Sequence, residues 1–166
     1  MRLLVSIATA LVACISSGTV FAADAIETSS VIVPLATGWH EVTGGSPISA
    51  AGPDHELMEL TVVAVRPSDE HPNLARSLDS AEAAAVSSLT SNKAAMMVVA
   101  PLKDFSLPNG THVNDLIFQS ADGRHLLLGV VLRGPSSVVL ATIEGASASG
   151  NRLGDALVQL LALQWK

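Results

Sequence analysis

Apolar residues in this chain fall into short runs with two distinct periods. Leu57 to Arg66 is the clearest strand. Its even positions (Met58, Leu60, Val62, Ala64) are wholly apolar, and its odd positions (Leu57, Glu59, Thr61, Val63, Val65) are mostly so. A strand apolar on both faces is expected to be covered on both. Leu126 to Leu132 (LLLGVVL) has the same character. Between these two lies a different period: Leu74, Leu78, Ala81, Ala85 and Leu89 recur at helical spacing. Two starts are open for that helix, Pro72 as a first-turn proline or Asp79 as N-cap with Glu82 three residues on. The Ser-rich stretch SSLTSN is expected to end it, because hydroxyl side chains compete for backbone hydrogen bonds.

The remaining pattern fills in around these elements. Residues 24–30 (DAIETSS) read as a loose polar leader, Val31 to Pro34 as a short strand, and Gly38 to Val42 as a second short segment before the loop GGSPISAAGPD. After the helix comes an antiparallel meander. Met96 to Leu107 forms one strand or two broken at Pro101, followed by Val113 to Ser120 and the hairpin turn Ala121-Asp122-Gly123. Arg124 to Arg133, a turn at Gly134-Pro135-Ser136, and Val138 to Glu144 complete it. Leu153, Leu157, Leu160, Leu161 and Trp165 then mark a C-terminal helix, with Ser147 or Ser149 as its cap. Two helices beside a doubly buried antiparallel sheet predict an α+β fold, an α/β/α or two-layer sandwich.

Over most of residues 31–166 this order of elements, with Pro34, Gly38-Trp39 and the final amphipathic helix as local matches, resembles the PsbP-like superfamily. Among its bacterial members it looks most like secreted DcrB-like proteins. The resemblance implies an accessory or binding protein without enzymatic activity, and it transfers no functional residue onto a position here.

The first residues carry an address. Arg2, the apolar Leu3 to Ile15, the break at Ser16-Ser17-Gly18 and the small residues around Val20-Phe21-Ala22 have the form of a secretory signal peptide. The run falls short of the ~20 residues that span a bilayer. We therefore divide the chain into a signal peptide (1–22), a flexible leader (23–30) and a single α+β domain (31–166), acting in the periplasm or secreted. Leu11-Val12-Ala13-Cys14 also resembles a lipobox, so a membrane attachment is expected only if Cys14 is lipidated. Cys14 is the one cysteine, which leaves the processed chain without disulfides or a thiol nucleophile. The roughly 144 residues after the signal suit one domain with its own core.

Charge narrows the function further. Fifteen acidic residues against nine basic ones give a net charge of −6, and no basic cluster occurs, which argues against nucleic-acid binding. Tyr is absent and Phe and Trp are few, so a stacking platform for bases or sugars is not expected. The chain contains no GxSxG elbow, no HExxH and no phosphate-cradling GxxxxGK[ST].

The most ligand-like residues flank the central strand: Asp54-His55-Glu56 before it and Asp69-Glu70-His71 after it. At ~3.3 Å per residue an extended strand holds the two clusters roughly 30 Å apart, whereas the ligands of one metal sit ~2.0–2.2 Å from it. They read as solvated strand-end loops, with a half-site completed by His40 or His112 left open. A triad drawing on His40, His112 or His125 with Asp115 or Asp104 would leave no local signature. Trp39 is either core or the wall of a binding groove. Met96 and Met97 are expected to fill core, His125 to lie at the surface, and Asn109-Gly110-Thr111 to form a turn.

We assign no catalytic residue, cofactor or metal ligand from the sequence. The expected function is an exported, non-enzymatic accessory protein that binds another protein or a small ligand, linked to a secretion or envelope system, with Trp39, His40 and His112 as candidate contacts. The alternative is a small exported hydrolase, metal-assisted or not, built from His and Asp residues that the fold assembles.

Overall fold

The computed structural model describes residues 24–43, 45–66, 73–91 and 96–166. In chain order they carry strands β1 (Ala25–Glu27), β2 (Val31–Pro34), β3 (His40–Thr43), β4 (Ile48–Ala51) and β5 (Leu57–Ala64), then helix α1 (Leu74–Ser91). Strands β6 (Met96–Ser106), β7 (His112–Ser120), β8 (His125–Arg133) and β9 (Ser137–Ala146) follow, then a 3-10 turn (Ser147–Ser149), helix α2 (Gly150–Leu161) and strand β10 (Gln164–Trp165). Seven strands pair antiparallel in the order β3-β4-β5-β9-β8-β7-β6, and β1-β2-β10 form a small second sheet. The expected α+β class and the β6–β9 meander are both present.

Register sorts the core into two faces. On one, Val131 and Val138 cluster with Leu78 and Leu89 of α1, with Ala81, Ala85 and Leu140 packed around them. On the other, Val130, Leu132, Val139, Ala141 and Ile143 cluster with Leu153, Ala156, Leu157 and Leu160 of α2 and with Val31 and Val33 of β2. At ~1.5–3 kcal/mol per fully buried Val or Leu, these two layers dominate stability. β8 is covered on both faces as its sequence predicts, every residue from Leu126 to Leu132 being buried. β5 is covered only in part. α1 packs over β8 and β9, and on neighbouring β5 Val63, paired with Val138, is left 47% exposed.

Several expectations are corrected. The segment read as a loose leader contains β1, which pairs with β2 and buries Ile26 against the core. A single apolar residue among polar ones is too short a pattern to announce a strand. The loop GGSPISAAGPD contains β4, paired on both sides; Ile-Ser-Ala-Ala has weak strand propensity, and its neighbours impose the conformation. α1 starts from Asn73, whose Oδ1 accepts from the Ala75 N–H at 2.9 Å, an N-cap that leaves Asp79 inside the helix. α1 does close within the Ser-rich stretch SSLTSN, as the sequence suggested. Thr90 and Ser91 turn their hydroxyls onto the Ser87 carbonyl at 3.0 and 2.7 Å, and the helix continues to Ser91.

β6 is one strand, at the edge of the sheet, with register shifts on both sides of Ala100 next to Pro101. An edge tolerates a residue without an N–H. Met97 is exposed there, contrary to the core role expected of it, while Met96 packs beside Leu116 and Phe118. Ser149 occupies the N-cap position of α2 without a side-chain bond, and Ser147 donates instead to the Gly123 carbonyl at 2.7 Å. Trp165 packs against the core, but from β10 rather than from the helix, pairing with Val31. The signal segment with Cys14, the Asp69-Glu70-His71 cluster and Pro72 lie outside the described residues.

Candidate functional site

Asp54-His55-Glu56 forms the turn into β5, and His55 takes the left-handed backbone conformation (φ 67°) there. Glu56 is buried, at 1% exposure. Its Oε2 accepts from the Asp54 N–H at 2.9 Å, and its Oε1 lies 3.3 Å from Nη1 of Arg152, in the first turn of α2. The same Nη1 pairs with Asp54 Oδ2. The cluster that looked like half a metal site is therefore the socket of an arginine 98 residues downstream.

Gly52 makes the socket fit. A Cβ there would stand 2.6 Å from Glu56 Oε2 and 3.0 Å from Trp39 Cε2. Trp39 follows a tight turn in which Gly38 has φ 83° and the Trp39 N–H donates to the Ala36 carbonyl at 2.9 Å. Trp39 is 3% exposed and belongs to the core, yet its edge reaches a groove between this turn and α2. Ala36, Thr37, Trp39, Arg152, Asp155, Val158 and Gln159 line that groove, whose volume is about 200 Å³. It combines an apolar wall with guanidinium, carboxylate and amide groups on one rim. Its lining contains no Ser, Cys or His.

The other sequence candidates lie elsewhere. His40 is exposed on β3, and His112 opens β7, five strands across the sheet, roughly 24 Å at ordinary strand spacing. One site cannot hold both. His125 is exposed, with Nε2 3.7 Å from Glu144 Oε2. Asp115, on the opposite face of β7 from His112 and Asn114, has its pKa raised by burial, partly offset by Lys103.

His112 does meet carboxylates. Its Nδ1 contacts Glu82 Oε1 at 2.5 Å and its Nε2 contacts Asp104 Oδ1 at 2.6 Å. Glu82, buried on α1, also accepts from Asn114 Nδ2 at 2.7 Å and from Arg133 Nη1 at 3.1 Å, and Arg133 reaches Asp79 at 2.6 Å. The Glu82 hydrogen bond, helped by the nearby charges of Glu82 and Asp104, raises the His112 pKa against a smaller opposing effect of burial. A ring with an acceptor at both nitrogens is an imidazolium, with no lone pair to take a proton from a nucleophile. Ser106, opposite His112 in the β6–β7 register, finds no free base there. The pairing sought for a hydrolase exists, in a form unsuited to it. Among the described residues, no three His, Cys, Asp or Glu side chains are placed to hold a metal ion.

The sequence marks Glu56 as unusual without revealing its partner and presents Glu82 as part of a helix cap, and it gives no sign of either arginine. For Glu82 a signal was present: it stands four residues after Leu78 and seven before Leu89, on the apolar stripe of its own helix, where a carboxylate needs a partner. For Arg152 there was none, because its partners lie 96 and 98 residues away.

No family model and no curated protein matches the chain. Among solved structures it is similar to LpqN, involved in cell envelope biogenesis of Mycobacterium tuberculosis, with TM-score 0.56 and 12% identity over 82% of this chain and 83% of that one. It is also similar to cyanobacterial PsbP (CyanoP) from Synechocystis, with TM-score 0.54 and 11% identity over 91% of this chain and 98% of that one. The fold is PsbP-like. The finer likeness to DcrB-like proteins rests on the order of elements alone.

Proposed function

We propose that this chain is an exported, non-enzymatic accessory protein of the bacterial envelope that grips a partner protein in the groove beside Trp39 and Arg152. The observation that carries this reading is the size and make-up of that groove. At about 200 Å³ it falls below the ~300–1,000 Å³ of pockets that enclose whole small ligands, and it suits one inserted side chain. Trp and Arg are also the residues most often found at the energetic centre of protein interfaces. The PsbP-like fold and the envelope role of LpqN support the placement, as does the signal-like N-terminus. No helix among the described residues is long and apolar enough to cross a membrane.

A photo-crosslinking amino acid at Val158, which is 45% exposed on the groove rim, tests the reading in a bacterial host. The expected result is a discrete product with one envelope protein, absent when the probe sits at Val63 on the opposite face. Equal labelling from both positions, or none from Val158, would overturn it. Export is tested by intact mass: the released protein should begin at Ala23 or Asp24, and a Cys14→Ser variant retained as membrane-bound precursor would show lipidation instead.

A further inference from the structure

We propose that the protonated ring of His112 is a clasp that fastens edge strand β6 and helix α1 to one point of the sheet, so that loss of its proton frees the Asp104 end of β6 first. The geometry is a chain of contacts across three elements. Glu82 comes from α1, His112 from β7 and Asp104 from β6, with the ring between the two carboxylates. The elements that the ring joins are consecutive in the sequence.

Among the described residues, each charged group near the ring bears on its state. α1 presents Asp79 and Glu82, β6 presents Asp104, and β8 presents Arg133, which stands opposite His112 in the β7–β8 register. Three carboxylates thus surround one guanidinium, and the imidazolium offsets part of the excess.

The two carboxylates are not equivalent once the proton leaves. Glu82 is buried and already accepts from Asn114 and Arg133, so it cannot turn to water. Asp104 is 65% exposed in its side chain and can. A neutral ring has one N–H, and the deep carboxylate retains it on Nδ1. Nε2 then points a lone pair at Asp104, and two acceptors repel. Asp104 leaves for solvent. β6 lies at the sheet edge, pairs with β7 alone and is already irregular between Ala100 and Lys103, so no strand among the described residues replaces the lost contact on its outer side.

The sign follows from linkage. The folded-state pKa of His112 stands above the ordinary imidazole value of 6.5. The clasp is therefore fully closed below that value and is lost as pH rises through the raised midpoint.

Hydrogen exchange by mass spectrometry on the full chain, from pH 6 to pH 9 and corrected for intrinsic rates, tests this alongside an NMR titration of the His112 ring. Protection of the amides from Leu102 to Ser106 should fall with the ring's titration, by about tenfold for each unit that its midpoint exceeds 6.5, before protection of α1 falls. In Asp104→Asn the amide can donate to the bare Nε2, so β6 protection should become insensitive to pH. His112→Gln, which does not titrate, should likewise be flat. A ring midpoint at or below 6.5, unchanged β6 protection while the ring titrates, α1 opening ahead of β6, or an undiminished pH response in Asp104→Asn would each overturn the proposal.

Discussion

The Arg152 guanidinium of α2 stands 3.3 Å from the Glu56 carboxylate at the entrance to β5, and that carboxylate has no access to water. Glu82 of α1 and Arg133 of β8 repeat the arrangement at 3.1 Å on the other face of the sheet. Each helix is thus tied to the sheet by a glutamate and an arginine, in addition to its apolar face. Arg152→Ala leaves Glu56 buried with the Asp54 N–H as its remaining side-chain partner. Breaking a fully buried pair costs ~3–5 kcal/mol, and the half-exposed arginine lowers the expected loss here to about 2 kcal/mol. Urea unfolding at pH 7 should show a lower midpoint with an unchanged slope. Glu56→Gln should cost less, because its amide oxygen still accepts from Asp54.

Gly134 underlies Trp165. A Cβ on Gly134 would stand 2.4 Å from the indole ring, and the ring is held in place by the Nε1 bond to Thr111 Oγ1 at 2.8 Å. A rigid ring cannot give way as a flexible side-chain end would. Gly134→Ala should therefore cost about 1–3 kcal/mol through overpacking and shift the Trp165 fluorescence as its hydrogen bond breaks. A thermal melt and an emission spectrum on a Trp39→Phe background check both.

These two sites show how the sequence was legible and where it stopped being so. Period-two and helical patterns placed β2, β5, the meander and both helices, because each buries enough apolar surface to leave a run. β1, β4 and β10 are strands through pairing alone: Ala25–Glu27, Ile48–Ala51 and Gln164–Trp165 carry too few apolar positions to show a period. The candidate site was half visible. Gly38-Trp39 and Asp54-His55-Glu56 were recognised as unusual, but the residue that unites them, Arg152, lies on a helix whose pattern reports only its apolar face. His112 was singled out for its chemistry, yet Glu82 was read as part of a cap, which hid the partner that makes the ring a cation.

His55 offers a test of backbone strain. Its φ of 67° costs an ordinary side chain ~1–2 kcal/mol, and its ring is exposed, so removing it loses little packing. His55→Gly relieves the strain against ~0.5–1 kcal/mol of added unfolded-chain freedom, giving a net gain of about 0.5 kcal/mol. His55→Val, β-branched and excluded from this region, should lose at least ~1 kcal/mol. The expected order of urea midpoints is Gly, then His, then Val. Any order placing Val above Gly would show that the turn is not left-handed.

Asp115 provides a prediction in which the sign with pH is decisive. Its Oδ1 is buried without a hydrogen-bond partner, and burial raises its folded-state pKa above the ordinary 3.8, while Lys103 across the β6–β7 pair pulls the other way. The folded protein therefore holds this proton more tightly than the unfolded chain does. Asp115 consequently destabilises the fold above the raised midpoint, and the deficit shrinks as pH falls through that midpoint to 3.8. Asp115→Asn mimics the protonated acid, so it should stabilise the protein at pH 7 by about 0.5–1 kcal/mol. That advantage should shrink as pH falls through the raised midpoint and vanish only well below pH 3.8, where the carboxyl is protonated in the folded and unfolded states alike. His112, Glu27 and Asp122 titrate alike in both proteins and cancel in the comparison. Paired urea titrations at pH 7 and pH 4 give the answer: a difference of the same size at both pH values would show that Asp115 carries no buried charge.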